Sequence, residues 1–237
     1  MANSLLHQLL INSNLSPRWF LIRTLVYLPI LLILGYLLSA WLVRPALELA
    51  QWLLPLGLPH LIEAADIQQH YLMLHTYLGA HSSAELPQGF ARFSANFFVT
   101  GQHYPFLLTL PLDSLKYAYG LPVLSALVLA SPGQASTKLT TLFLGWGLVS
   151  LIVVWGLYFN TANLLVLDFK PELTNQAKTL WPLFNEELVQ AFIALAYRIG
   201  FLIFPAVLPI LLWAQRNPLF LEQLIHGSLR YESKPQT

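Results

Sequence analysis

A long apolar run near the start of the chain constrains its fold more than any other feature. It extends from Trp19 to Val43, with Arg23 and Thr24 as its main polar interruption. As a helix, the part between Trp19 and Trp41 is about 33 Å long, which matches a hydrocarbon core with an aromatic residue at each interface. The run is long for a signal peptide, and no convincing cleavage site accompanies it. The sequence therefore predicts an uncleaved transmembrane anchor.

The composition extends this prediction to the whole chain. Hydrophobic residues make up 56% of the 237 residues and charged residues only 10%, against about 25% charged residues in a soluble domain. A net charge of +1 offers no basic field for nucleic acid. The absence of cysteine excludes a disulfide framework, a thiol nucleophile and a thiolate metal site. A mainly α integral membrane protein is expected, with the lipid bilayer as its surroundings.

Three further segments are predicted to cross the membrane, giving about four transmembrane helices. Leu139–Phe159 and Leu188–Trp213 are clearly apolar, whereas Leu115–Ser131 is at the short end of the usual range. Ser131-Pro132-Gly133-Gln134 is typical of a tight turn between two of them.

Basic residues predict the orientation of these spans. Arg18 and Arg23 stand at the start of the first span, and Arg216, Arg230 and Lys234 follow the last one. Basic residues favour the cytoplasmic side, so both termini are predicted to be cytoplasmic. Two cytoplasmic ends require an even number of spans, which argues for Leu115–Ser131 as the weak second span.

The largest segment outside the predicted spans is expected to carry a small antiparallel β insert on the outer, periplasmic side. Ile67–Leu78, Phe90–Thr100 and His103–Leu110 are rich in alternating or aromatic positions, with a turn at Gly101-Gln102, and predict a meander of about three strands. Free strand edges are not tolerated in lipid, so the sheet must stand outside the hydrocarbon region. Arg44–Leu58 predicts a preceding interfacial helix ended by Pro55 or Pro59.

The predicted organisation has five parts along the chain. They are residues 1–43 (cytoplasmic N-terminus and first transmembrane helix), 44–114 (periplasmic interfacial helix and meander), 115–159 (two transmembrane helices joined by a short cytoplasmic turn), 160–187 (periplasmic amphipathic segment) and 188–237 (last transmembrane helix and cytoplasmic tail). In the fourth part, Lys170-Pro171 is expected to turn into an amphipathic helix that contains Ala177, Leu180, Trp181 and Phe184.

No catalytic residue, metal site or cofactor is predicted. Five of the seven histidines fall in the outer segment, at His60, His70, His75, His81 and His103. His70 and His75 are five residues apart and would face opposite sides of a regular strand, and no metal-binding spacing is present. A Ser-His-Asp set drawn from Ser82 or Ser94, His103 and Asp113 has no nucleophile-elbow motif to support it.

Arg198 is an ionisable residue inside the last predicted span, and two interpretations of it stay open. An intramembrane charge is a functional candidate by default. Alternatively, the helix starts as an interfacial segment and Arg198 extends its guanidinium towards water, which leaves Ile199–Trp213 as the uncharged part. The second interpretation is favoured. Pro205 and Pro209 are expected to bend this helix.

Small residues in the spans are candidate contacts for a partner helix. Gly145, Gly147 and Gly156 lie in the clearest span, where the absence of a side chain would let a neighbouring helix approach closely. The alternative is that these glycines pack only within the bundle of the chain itself.

The stretch from Ser114 to Pro132, SLKYAYGLPVLSALVLASP, is the most distinctive in the sequence. Together with the single anchor, the β-rich insert and the closing pair of spans, it resembles the exosortase H-associated membrane proteins of bacteria. Within it, Tyr119, Gly120 and Pro122 are candidate interaction residues. The resemblance implies a non-catalytic accessory protein of the bacterial inner membrane that assists a membrane-embedded exosortase in protein sorting.

Two other classes of function stay open. A small transporter or channel component would need polar groups along a path through the spans, and no inverted repeat is visible. A membrane enzyme would use a histidine of the outer segment.

Overall fold

The computed structural model describes residues 17–82, 85–86, 90–99, 102–222 and 224, without the side chains of residues 17 and 95–99. These residues form a mostly helical protein with one small antiparallel sheet. They divide into two compact units. The sheet unit comprises Leu37–Ala118 and Val149–Pro205, and the bundle unit comprises the described residues up to Tyr36, Tyr119–Leu148 and the described residues from Ala206 onward.

Nine α-helices have both ends within the described residues, and residues 218–222 are helical as well. They are α1 Pro17–Leu37, α2 Ser39–Leu42, α3 Arg44–Gly57, α4 Leu115–Ala118, α5 Gly120–Ala130, α6 Ala135–Asn163, α7 Pro171–Leu180, α8 Glu187–Arg198 and α9 Phe204–Arg216. A π-helical turn, Leu164–Asp168, extends α6, and a second one, Ile199–Ile203, joins α8 to α9. Pro182–Asn185 forms a short 3₁₀ turn before α8.

Three of the predicted spans are confirmed as helices long and apolar enough to cross a membrane. Within the described residues these are Arg18–Leu37, Ala135–Asp168 and Glu187–Arg216. Leu115–Ala130 is apolar but shorter, so the fourth span stays a prediction. The second candidate has 34 residues and would extend about 51 Å as a helix. It is longer than a hydrocarbon core of about 30 Å, so part of it must project beyond the hydrocarbon.

The four strands of the sheet are arranged in the order β1-β2-β4-β3. They are β1 Ile62–Gln68, β2 Tyr71–Ala80, β3 Ala91–Val99 and β4 Gln102–Asp113. All neighbouring pairs are antiparallel, which confirms the predicted antiparallel sheet. The predicted meander is wrong, because β2 pairs with β4 and not with β3.

The predicted strand Ile67–Leu78 contains a hairpin turn, and the prediction misses β1. Gln68 pairs with Tyr71, which leaves a two-residue turn in which Gln69 has a φ of 56°. Such turns usually carry Asn or Gly at the positive-φ positions, so this turn has no sequence signal. The β3–β4 connection, with the predicted turn residue Gly101, lies outside the described residues.

The core of the sheet unit is formed by one face of the two central strands. Its most deeply buried members are Leu72, Leu74, Leu78, Leu108, Leu110 and Leu112. Helix α3 contacts β1 and buries Ala46, Leu47, Ala50 and Leu54. Pro55 lies inside α3, so the predicted end at Pro55 is wrong. The helix ends at Gly57 because residues that precede a proline, here Leu58 before Pro59, disfavour the helical conformation.

The first residues of segment 160–187, which is predicted to be periplasmic and amphipathic, continue α6 and are buried, and the periplasmic placement stays a prediction. Asn160, Thr161 and Asn163 are all buried. The Asn163 side-chain amide donates a hydrogen bond of 2.6 Å to Asp168, which holds the π-helical turn at the end of the helix. The predicted amphipathic helix is present as α7, which buries Leu173 and Ala177.

An aromatic cluster forms the core of the bundle unit. Phe20 stacks on Trp213 at 5.5 Å between ring centroids and meets Phe220 edge-on at 5.1 Å. Leu124 and Val128 of α5 complete this core. The predicted turn at Ser131–Gln134 is confirmed, since α5 ends at Ala130 and α6 begins at Ala135.

Candidate functional site

The space beside Gly145 and Gly156 of α6 is occupied by other side chains of the same chain. A Cβ atom at Gly145 would collide with the Leu124 side chain, and one at Gly156 would collide with the ring of Tyr117. Both glycines are buried. The structure therefore places these two residues in internal packing, which is the alternative that the sequence left open.

Gly147 differs from its neighbour two residues away. It is exposed, and a Cβ atom there would have no other group within 4 Å. Leu139 and Phe143, which lie two turns and one turn earlier on the same side of α6, are about two-thirds exposed. We name Leu139, Phe143 and Gly147 the open face of α6. Of the three predicted glycines, Gly147 is the one available to another helix.

The three candidate residues of the distinctive stretch lie at the start of α5. Gly120 is buried, whereas Tyr119 and Pro122 are partly buried. The Pro122 ring lies 3.2 Å from the position that a Cβ of Gly35 in α1 would occupy. Pro122 thus contributes to the contact of α1 with α5, and the proposed interaction role of these residues stays a prediction.

Arg198 is exposed and lies in the chain between Ala196 and Gly200, which both approach Trp155 of α6. The Trp155 indole donates a hydrogen bond of 3.1 Å to the carbonyl of Ala196, and its Cδ1 lies 2.7 Å from the Cβ position of Gly200. Tryptophan is enriched at the membrane–water interface. This register favours the interfacial interpretation of Arg198, whose guanidinium would then reach the headgroups.

A polar chain of three side chains crosses the outer face of the sheet, which sequence reasoning did not find. His75 Nε2 lies 2.9 Å from Asp66 Oδ2, and His75 Nδ1 lies 3.3 Å from Thr109 Oγ1. His75 and Thr109 are cross-strand partners in β2 and β4. If Nε2–H donates to the carboxylate, Nδ1 can accept the Thr109 hydroxyl proton. Thr109 is only 7% exposed, so its hydroxyl has little access to a substrate.

Three other histidines of the outer segment have different surroundings. His70 lies in the hairpin turn and not on a strand, so the expectation that it faces away from His75 on a regular strand does not apply. His81 packs against Tyr104, and His60 packs near Trp181. No group of three histidine or acidic side chains suited to a metal ion occurs among the described residues.

A side-chain amide forms hydrogen bonds with the backbone at the end of β2. Gln176 of α7 accepts a hydrogen bond from the Gly79 N–H and donates one to the Gly79 carbonyl, both at 3.0 Å. The amide thus makes the two bonds that a neighbouring strand would make. A Cβ at Gly79 would collide with the Tyr104 side chain, so the close approach of Tyr104 to this residue requires glycine. No short motif signals this contact in the sequence.

The family model of the exosortase H-associated membrane proteins matches residues 14–220. No curated protein and no solved structure shows significant similarity.

Proposed function

Because the chain belongs to the exosortase H-associated membrane protein family, we propose that it is a non-catalytic accessory protein of the bacterial inner membrane. It binds a membrane-embedded exosortase and assists the sorting or processing of exported proteins. The family name supports the association, and the surface of the first span supports a partner within the bilayer.

The observation that carries this proposal is the low burial of α1. Only 6% of the most apolar window of Arg18–Leu37 is buried within the protein. Such a helix must be covered by lipid or by helices of another protein. Phe20 anchors its start in the aromatic cluster, so most of the rest of the helix is free to contact a partner.

The open face of α6 provides the sharpest test. Gly147→Leu should lower co-purification with the exosortase while abundance in the membrane is retained, because position 147 has free space around it. Gly145→Leu is the matched control, two residues away in the same helix. It should reduce abundance, since the new side chain would collide with Leu124. Unchanged co-purification of a Gly147→Leu variant would remove the open face from the proposed interface.

We further propose that the chain crosses the membrane four times. Both termini would lie in the cytoplasm and the sheet in the periplasm. Arg18 and Arg23 at one end and Arg216 at the other support the cytoplasmic ends. Leu115–Ala130 would be the second span, short enough to require local thinning of the bilayer.

The proposal assigns no bond chemistry to this protein. The buried hydroxyl of Thr109 supports a structural role for the Asp66–His75–Thr109 chain, which ties β1 to β2 and β4. Deletion of the gene tests the accessory role directly. Sorting of tagged substrates should decline in the deletion strain although the exosortase is still present, and undiminished sorting would contradict the proposal.

A further inference from the structure

A basic cavity lies in the bundle unit, where the second candidate span begins and the third ends. Its volume is about 260 Å³, and its walls include Lys138 near the start of α6 and Arg216 at the end of α9. Thr137 and Asn217 add polar atoms, and Leu219 forms an apolar wall. No acidic side chain of the described residues lines it. The nearest described acid along the chain, Glu222, is exposed and is not part of the wall.

The described part of the bundle unit also has a net positive charge. Its described residues contain four basic side chains, Arg18, Arg23, Lys138 and Arg216, and one acidic side chain, Glu222. Lys138 is partly buried, and its ammonium makes one long contact of 3.4 Å with the Leu129 carbonyl. Arg216 is exposed. Two cations with so little compensation favour an anion between them.

The walls of the cavity are held by buried contacts. The Trp213 indole donates a hydrogen bond of 2.7 Å to the Ser131 hydroxyl, one turn before Arg216. Asn217 donates to the Trp213 carbonyl at 2.9 Å, which fixes the end of α9. Gly133, with a φ of 136°, allows the loop on the other wall to turn where other residues rarely can. The cavity is therefore preformed.

The location decides the source of the anion. If α6 and the α8–α9 segment each cross the bilayer once, the start of one and the end of the other emerge on the same side, at the level of the lipid phosphates. A volume of about 260 Å³ is below the roughly 300–1,000 Å³ of most ligand pockets, which suits a headgroup and not a whole lipid. Leu219 is 75% exposed beside the cavity and offers a surface to acyl chains.

We propose that this cavity binds the phosphate of an anionic phospholipid, with Lys138 as a point charge and Arg216 as a two-pronged donor. Arginine matches the geometry of phosphate oxygens, and basic pockets between membrane helices on the cytoplasmic side suit anionic headgroups. In the proposed topology this is the cytoplasmic leaflet. The site does not depend on the exosortase, so failure of the proposed function leaves it standing.

The experiment measures the apparent melting temperature of the full-length protein in a non-ionic detergent. Short-chain phosphatidylglycerol, short-chain phosphatidylcholine and inorganic phosphate are added separately. A ligand that binds the folded state raises the melting temperature by mass action. We expect phosphatidylglycerol to raise it and the other two to have little effect. An equal rise with phosphatidylcholine or with inorganic phosphate would overturn the assignment to an anionic lipid.

Two variants and a matched control locate the effect. Lys138→Gln combined with Arg216→Gln should abolish the rise, whereas Arg23→Gln, which changes an exposed cation of the same unit that does not line the cavity, should keep it. Arg216→Gln alone keeps the test interpretable if the double variant misfolds, because Arg216 lies exposed at the end of a helix. It should weaken the affinity for phosphatidylglycerol about tenfold, as expected for the loss of one charge-assisted contact. An undiminished rise in the double variant, or an unchanged affinity in Arg216→Gln, would overturn the site.

Discussion

The indole nitrogen of Trp213 donates a hydrogen bond to the hydroxyl of Ser131, 82 positions away in the chain, at a distance of 2.7 Å. Both residues are buried, and the Ser131 hydroxyl in turn donates to the Leu127 carbonyl at 2.7 Å. The two bonds join the end of α9 to the turn between α5 and α6. This relationship holds together the end of the bundle unit that carries the basic cavity.

Replacement of Ser131 by alanine should lower the stability of the bundle unit. The indole N–H would stay buried without an acceptor, at a cost of about 1–3 kcal/mol. Ser125→Ala is the control, because Ser125 bonds only within its own helix, to the Leu121 carbonyl. Thermal unfolding of the detergent-solubilised protein should show the larger loss for Ser131→Ala. Equal losses would mean that the Trp213 bond contributes little.

Tyr117→Phe should be neutral or stabilising. The Tyr117 hydroxyl is buried, and it has no hydrogen-bond partner in the structure. Removal of an unsatisfied buried hydroxyl should raise the free energy of unfolding by about 1 kcal/mol. Tyr117→Ala is the contrasting variant, because it would leave a cavity beside Gly156 and should cost about 3–5 kcal/mol. A clear loss of stability in Tyr117→Phe would show that the hydroxyl has a partner in the membrane.

Single cysteines test the topology without a background, because the chain has no cysteine of its own. Gln68→Cys on β1 and Ser136→Cys at the start of α6 are both at exposed positions. An impermeant thiol reagent applied to cells with a permeabilised outer membrane should label position 68 and leave position 136 unlabelled. Labelling of Ser136→Cys from the periplasm would show that Leu115–Ala130 does not cross the membrane.

His75→Ala distinguishes a structural histidine from a catalytic one. We expect a loss of about 1 kcal/mol in stability, typical of a removed hydrogen bond, with sorting activity retained in proportion to the amount of protein. His60→Ala, at an exposed position outside the sheet, is the control. If His75→Ala abolished sorting while abundance stayed normal, the non-catalytic proposal would fail.

The spans were the most predictable part of this protein, because a helix in lipid satisfies its backbone internally and needs only an apolar side-chain run. Leu139–Phe159 carries that signal by itself. The short segment that begins at Leu115 does not, and its role depends on the parity argument from the basic residues. The helix of the longest span extends past Phe159, where Asn160 and Asn163 are buried and Asn163 bonds to Asp168, and composition does not reveal this.

The sheet was predictable in kind but not in connectivity. β1 escaped prediction because a register shift between Ile62 and Ala64 breaks its alternation and because its hairpin turn at Gln69 lacks the usual residues. The His75–Thr109 contact depends on the pairing of strands 34 residues apart. Single-sequence patterns report local periodicity and contain no direct information about such pairings, so the polar chain across the sheet could not be foreseen.

The contact between Gln176 and Gly79 limits what else this protein can associate with. An unpaired strand end is a template on which another extended polypeptide can add itself, and that is a route to aggregation. A glutamine amide occupies both backbone groups with the donor and the acceptor that they require. Glutamate would present two acceptors and release the Gly79 carbonyl. A single neutral amide therefore blocks strand addition at the end of β2, beyond the last residue that pairs with β1.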